Sequence, residues 1–500
     1  MKIRSLNKFI KGGVLGLCMV ACFSSCDKQF EKLNTDPNEP SSTSTAFLLT
    51  NAHKSMMDYT WDEWFNGRRG NQLAQYWASN QYSNESRYQL RTAITNNYWA
   101  YFYSRSLQDL QEIIRLNESA PGDYAGFGAN ANQIAIAKVL KAWVYQNMTD
   151  CWGPIPFSQA LQGAAFPFPK YDSQKDVYTG LLALLNEAIG AFDVSDATVK
   201  GDMIYSGDMS KWKKFANSLK MRVALRMADV EPTLASTAIS EAITSGVFTS
   251  NADNALFPYI AGAPNNNPIS EDYKTRNDFA ASSTMVNELN RLSDPRVGFY
   301  YAPTVNGGTY VGEVYGLSEA NAALTPNDDV SQRNAQVLAE TAPGIYLDYA
   351  QVEFMLAEAA ERGISGTSSA AQHYNNGITA SMQYWDANST LSATDIANYI
   401  AQPTVDYATL KGTETWKQVI GRQKWIALYM QGVQGWTEYR RLDFGILTMP
   451  VDGTLDGIGI PTRMKYPLDE QTLNGAQYST GLTLLGGVDG QDTKLWWDAN

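Results

Sequence analysis

The stretch Thr149-Asp150-Cys151-Trp152-Gly153-Pro154-Ile155-Pro156-Phe157-Ser158 restricts the folding of this chain more than any other. Ahead of it, Ile136, Val139, Leu140, Trp143, Val144 and Met148 recur at helical spacing. Behind it, Tyr178, Leu181, Leu182, Leu185, Ala188 and Ile189 do the same. Gly153, Pro154 and Pro156 cannot extend the first helix, because proline lacks the N–H and disfavours helical dihedrals in the residue before it. The stretch reads as a stiff, aromatic-plugged corner between two amphipathic helices.

Helical patterns dominate the rest of the chain. They place helices at about 45–58, 69–80, 95–117, 131–149, 173–193, 210–229, 233–245, 348–362, 368–386 and 414–432. Small and large residues alternate at Ala135/Val139/Ala142, Ala235/Ile239/Ala242 and Ala370/Tyr374/Gly377, a pattern that suits paired antiparallel helices. No constant repeat period accompanies it. Turn-rich segments interrupt the helices near 248–332 and again near 445–500. Loops of that length inside a domain are usually functional.

The formal charge of −12 and the absence of basic runs remove the electrostatic footprint of a nucleic-acid binder. Of four cysteines, Cys18, Cys22 and Cys26 crowd the N-terminus, so no disulfide framework is expected. Cys151 then reads as a small buried apolar residue.

Residues 1–11 are basic, Val14 to Phe23 is a short apolar run, and Phe23-Ser24-Ser25-Cys26 follows. The run is too short for a transmembrane helix and reads as a signal peptide over 1–25. Small residues directly before a cysteine resemble the lipobox of bacterial lipoproteins, which implies cleavage before Cys26 and its lipidation. Met19-Val20-Ala21-Cys22 is a rival lipobox. The polar, proline-bearing stretch from Cys26 to Ser44 reads as a tether.

Catalytic constellations are poorly represented. Only His53 and His373 occur, without a metal-ligand neighbour pattern, and nothing implies a metal or cofactor. There is no Gly-x-Ser-x-Gly and no phosphate-loop Gly-Lys. Gly126-Phe127-Gly128-Ala129-Asn130-Ala131 fits a dinucleotide fingerprint only on paper, since no buried strand precedes it. Thr325-Pro326-Asn327-Asp328-Asp329 offers oxygen ligands for Ca²⁺ but reads better as a turn.

The aromatic surplus, with 13 Trp and 28 Tyr, gives the better functional lead. Sugar rings present apolar C–H faces on which flat side chains stack while amides and guanidinium groups bond the hydroxyls. One candidate cluster is Trp61, Trp64, Trp77, Tyr82 and Tyr88, interleaved with Asn66, Arg68, Arg69, Gln81 and Arg87. The other is Tyr273, Tyr300, Tyr301, Tyr310 and Tyr315, in the loop-rich segment. The expected ligand contacts are Trp61, Trp64, Trp77, Tyr82, Tyr88, Arg87, Tyr273, Tyr310 and Tyr315, with core packing as the competing reading of each ring. Trp99, Trp143, Trp212, Trp385, Trp416 and Trp425 lie on predicted helices and are assigned to the core. Arg440 and Arg441 read as partners of carboxylates and helix-end carbonyls rather than a ligand clamp.

The corner Thr149-Asp150-Cys151-Trp152-Gly153-Pro154-Ile155-Pro156-Phe157 resembles the SusD/RagB family of nutrient-binding outer-membrane lipoproteins, in its SusD-like branch. The run Asp208-Met209-Ser210-Lys211-Trp212-Lys213-Lys214-Phe215-Ala216-Asn217-Ser218-Leu219-Lys220-Met221-Arg222 is similar to the same family. So are Gln423-Lys424-Trp425-Ile426-Ala427-Leu428, Tyr439-Arg440-Arg441, Arg463-Met464-Lys465-Tyr466-Pro467 and Lys494-Leu495-Trp496-Trp497-Asp498, in order along nearly the whole chain. The resemblance implies a mostly α fold of tetratricopeptide-like helical pairs forming an array, with long irregular segments packed on it, as one domain over 45–500. It also favours Cys26 over Cys22, because the family's polar spacer begins there.

The function implied is capture of oligosaccharides or peptides at the cell surface and their delivery to a SusC-like TonB-dependent transporter, with the membrane reached through the lipid anchor alone. No aromatic position is carried over from the family. Two other classes fit the residues. A surface glycoside hydrolase needs two carboxylates about 5–9.5 Å apart across a cleft. A repeat scaffold for a protein partner needs a groove of Asn and charged side chains.

Overall fold

The computed structural model describes residues 43–499 except 197. The expected signal peptide, Cys22, Cys26 and the tether lie outside the described residues, apart from Thr43 and Ser44. The chain begins with α1 (Thr45–Thr60), a π-wound turn (Glu63–Asn71) and strand β1 (Trp77–Ser79). It continues through α2 (Thr92–Tyr101), a second π-wound turn (Phe102–Leu107) and α3 (Gln108–Ser119). The array then builds from α4 (Asn130–Trp152), α5 (Gln174–Ala191), α6 (Met209–Arg226) and α7 (Pro232–Ser245), each packed on the next. Two-residue strands β2 (Ile155–Pro156) and β3 (Tyr171–Asp172) pair across the α4–α5 corner.

Next come β4 (Ala255–Phe257), α8 (Pro268–Tyr273), β5 (Phe279–Ala281), α9 (Ser283–Arg291) and β6 (Gly344–Leu347). The array resumes with α10 (Tyr349–Glu361) against α11 (Ala370–Trp385), then α12 (Ala393–Ile400), α13 (Trp416–Ala427) and α14 (Gly432–Leu442). The chain closes with α15 (Leu468–Leu473) and α16 (Gly475–Leu485). Among the described residues, no helix is long and apolar enough to cross a membrane.

Local chemistry explains the helix boundaries. Ser173, Asp208, Asp348, Ser369 and Thr415 each accept a first-turn N–H, which satisfies a donor the helix itself leaves over. Gly153 ends α4 with φ +91°, and the Thr149 hydroxyl donates to its carbonyl at 2.7 Å. The small residues sit where helices cross. A Cβ on Gly377 would lie 2.9 Å from the Phe354 ring.

Three expectations need correction. The helix placed at 69–80 does not form: Gln75 turns left-handed at φ 55°, and residues 77–79 pair with 279–281 as a strand. The helix placed at 414–432 stops at Ala427, and a separate helix, α14, follows a left-handed Met430 (φ 70°). The segments expected to be irregular contain α8, α9, α15 and α16, of which α8 and α15 have only 6 residues each, under two turns. Trp99, Trp143, Trp212 and Trp425 are buried as expected, whereas Trp385 and Trp416 are half-buried.

A buried ion network ties the array together. Glu438 accepts from Arg226, from Arg441 at 2.6 Å and lies 3.0 Å from Lys424. Burial opposes its ionisation, yet these three cations hold the Glu438 carboxyl well below its ordinary range. Burial draws Lys424 down to about 8 against the pull of Glu438. Arg440 is equally buried, its guanidinium 3.5 Å from the Trp436 ring centroid. Arg440, donating to the carbonyls of Asp150 and Thr462, and Arg441, paired with Glu358 and Glu438, are both structural.

Candidate functional site

The first π-wound turn and the loop before β5 build one face. Asp62 caps the turn by accepting from Phe65 N at 2.7 Å. A π-wound turn carries an extra residue and re-aims the side chains that follow; such turns often mark functional sites. Gly70 and Gly432 let the turn touch α14: a Cβ on Gly432 would lie 2.1 Å from the Gly70 carbonyl carbon, and one on Gly70 would lie 2.9 Å from Val433 N. Trp64 emerges half-buried on the outer side.

Strand β1 pairs antiparallel with β5, Trp77 opposite Ala281 and Ser79 opposite Phe279. This pairing brings residues 80–82 beside 276–278. The Asp278 carbonyl accepts from Asn80 N at 3.0 Å and Gln81 N at 3.4 Å. Tyr82 then stands 46% exposed in left-handed backbone, φ 54°, a conformation that costs a tyrosine roughly 1–3 kcal/mol.

Guanidinium groups fill the space between the two rings. Arg276 lies 5.0 Å from the Tyr82 centroid and 5.8 Å from that of Trp64; Arg68 lies 5.0 Å from Trp64 and 5.8 Å from Tyr82. Arg91 approaches Tyr82 at 5.8 Å. Asp278 accepts from Arg68 at 2.6 Å and from Arg276 at 3.0 and 2.7 Å. Hydrogen bonding to Asp278 raises Arg276 above its ordinary value. Glu85 accepts from Arg68 at 3.1 Å and Arg69 at 3.4 Å.

Amides border the cations. Asn277 donates to Gln332 at 3.1 Å, and Asn80 to Asn327 at 2.8 Å. The exposed Tyr82 ring and the half-buried Trp64 ring can stack on an apolar ring face, while guanidinium groups and amides bond hydroxyls. The carboxylates of Asp278 and Glu85 beside the rings are both occupied by arginines, which leaves these two poorly placed for acid–base work on a ligand.

The other expected contacts are placed differently. Trp77, Tyr88 and Tyr315 are core residues, with no ring face open to a ligand in this conformation, and Tyr300 and Tyr301 join them. Their large rings fill the space beneath β1 and β5: Trp77 donates to the Tyr429 hydroxyl at 3.3 Å, and Tyr315 to the Gln72 carbonyl at 2.9 Å. Trp61 is buried and borders an apolar cavity of about 210 Å³ with Met430 and Trp385. Arg87 is spent on backbone carbonyls of Gly453 and Asp452, at 2.9 and 2.7 Å. Tyr273 is half-buried beneath Arg333, 5.0 Å from its centroid. Tyr310 is half-buried apart from these rings, its carbonyl accepting from Asn290. Sequence reading missed Arg91, Arg276, Asn277, Asp278 and Gln332. The run Thr275-Arg276-Asn277-Asp278 beside Tyr273 was the available signal.

The remaining chemical candidates resolve as structure. Cys151 is buried, and burial pushes its thiol up. Burial lowers His53 to about 4. His373 accepts or donates at 2.8 Å to Ser368 Oγ and at 2.7 Å to Glu353, the spacing of a relay. Its Nε2 also accepts the Ser368 N–H at 3.3 Å, so the ring braces the chain just ahead of α11. Residues 125–127 form a 3₁₀ turn rather than following a strand, and 327–329 form another.

Residues 37–467 match the SusD-like family model described as starch-binding, associating with the outer membrane. No curated protein matches the chain. Among solved structures, a chitin-binding protein is similar with TM-score 0.80 and 27% identity, covering 91% of this chain and 100% of its own. A SusD homolog from Bacteroides uniformis gives 0.79 at 25% identity over 91% and 100% of the two chains. A chitin-binding SusD homolog from Flavobacterium johnsoniae gives 0.77 at 25% identity over 91% and 98%. The helical pairs described above are the tetratricopeptide-like array of that fold. With residues 37–467 matched by the family model and its fold similar to that of solved SusD homologs, the chain belongs to the SusD-like family.

Proposed function

We propose that the protein is a nutrient-binding lipoprotein on the outer membrane, anchored through Cys26, working as one domain after its tether. It captures oligosaccharides on the face of Trp64 and Tyr82 and passes them to a SusC-like TonB-dependent transporter. The observation that carries the reading is Tyr82, a large ring left exposed in a costly backbone conformation, beside Trp64 and beneath Arg276. Strain of this kind collects at ligand clamps.

Sugar is favoured over peptide by the amides that border the rings, and by the starch and chitin named in the descriptions of its family and its relatives. The job requires no bond to be broken.

The test titrates the full chain in detergent with chito-oligosaccharides, malto-oligosaccharides and a peptide digest, followed by tryptophan fluorescence and by chromatography of the ligand. Glycan binding without cleavage, weakened in Trp64→Ala, is the expected result. Binding of peptides alone would change the nutrient class, and shortened sugars would make the protein an enzyme. Co-purification with a β-barrel tests the transporter, and release of Cys26→Ser from the membrane fraction tests the anchor.

A further inference from the structure

A second place in the fold carries the chemistry of a sugar site and shares no residue with the first. It is a groove of about 690 Å³ between α7, the end of α10 and the start of α13, lined by Thr233, Ser236, Thr237, Glu361, Arg362 and Trp416. That volume falls within the ordinary range for small-molecule sites, about 300–1,000 Å³.

Trp416 opens α13 and is half-buried. Trp143, Trp212, Trp425 and Trp436 donate their indole N–H groups to buried oxygens. Trp416 has no such acceptor among the described residues. Arg362 lies 5.2 Å from its ring centroid and is fixed by Asp229 at 2.7 Å and Glu358 at 2.9 Å. Glu361 is fixed likewise, accepting from Tyr407 at 2.6 Å and Lys411 at 2.7 Å. The charged side chains are therefore held before any ligand arrives, which lowers the ordering cost of binding. Thr233 and Thr237 are exposed on α7 and bring hydroxyls to the groove.

We infer that this groove is a second glycan subsite, so that one protein grips a polymer at two places. The inference rests on the glycan-capture reading. A chain long enough to reach both sites is held by effective concentration, and its affinity exceeds that of either site with no stronger contact. A short oligosaccharide occupies one site at a time and gains nothing from the pair.

The experiment uses the full chain in detergent with malto- and chito-oligosaccharides and with the insoluble polymers, starch granules and chitin beads. The variant Trp64→Ala/Tyr82→Ala removes the first face. Residual weak binding by that variant, abolished by adding Trp416→Ala, is the expected result. In the otherwise native chain, Trp416→Ala leaves short-oligosaccharide affinity within about twofold and lowers retention on polymer about tenfold or more. Thr237→Arg, which plugs the groove from an exposed helix position, reproduces the loss if Trp416→Ala destabilises the fold. No residual binding in the double variant, or residual binding indifferent to both groove variants, overturns the second subsite. A native chain that binds none of the probes overturns the glycan-capture reading as well. A double variant that keeps native affinity, lost with Trp416→Ala, overturns the first face alone.

Discussion

Arg441 holds Glu358 through two parallel hydrogen bonds, 2.5 Å from Nη1 and 2.6 Å from Nη2, while its Nη2 also reaches Glu438 at 2.6 Å. These two acids come from α10 and α14, so the bonds join helices that are distant in sequence.

Substituting Glu438→Gln robs Arg226 and Lys424 of their nearest anion in the core. Breaking a buried pair costs about 3–5 kcal/mol, read as a lower urea midpoint at pH 7. The pH response follows from the depressed carboxyl: its stabilisation is complete above the unfolded value near 4.5 and is lost as pH falls toward the folded one. The variant should therefore show a flatter loss of stability below about pH 4.5. An unchanged midpoint would remove the network from the account of stability.

Trp64→Ala and Tyr82→Ala should each weaken glycan binding by about tenfold or more, near 1.4 kcal/mol. Their melting temperatures should stay close to native. Trp77→Ala, buried beneath them, should do the reverse, costing about 3–5 kcal/mol of stability. Calorimetric titration beside thermal melts separates the two outcomes.

Glu313 is 1% exposed, and neither carboxylate oxygen has a hydrogen-bond partner among the described residues. Burial raises it to about 7. The folded state then keeps a proton that the unfolded state has lost, so this group makes stability fall as pH rises from about 4.5 to 7. Glu313→Gln should add about 1–3 kcal/mol at pH 8 and little at pH 4.5. Equal effects at both pH values would contradict the protonation argument.

Gly377→Ala forces a methyl against Phe354, where the α10–α11 crossing leaves no room. The expected loss is about 1–3 kcal/mol, despite the better helix propensity of alanine. A stabilised variant would mean that the crossing relaxes freely.

How much was legible in the sequence follows from the range of each interaction. The α4–α5 corner was readable because its determinants, Gly153, Pro154 and Pro156, act on their immediate neighbours. The false helix at 69–80 arose because a left-handed Gln75 and the pairing of Trp77 with Ala281 leave no periodic trace. The candidate face was half legible: half-buried Trp64 and exposed Tyr82 came from the interleaved cluster, but Arg276 and Asp278 join them through a partner strand about two hundred positions away. Trp77, Tyr88 and Tyr315 looked the same in sequence as Tyr82, since burial is decided by the whole fold rather than by local composition.

The pairing of β1 with β5 has one more consequence. The helices α2 to α8 all lie in the sequence between Trp77 and its partner Ala281. Contacts so far apart form late, because loop closure is paid before they reward it. The proposed face of Trp64, Tyr82 and Arg276 is therefore a certificate of completion: a chain truncated or trapped before residue 281 does not present it.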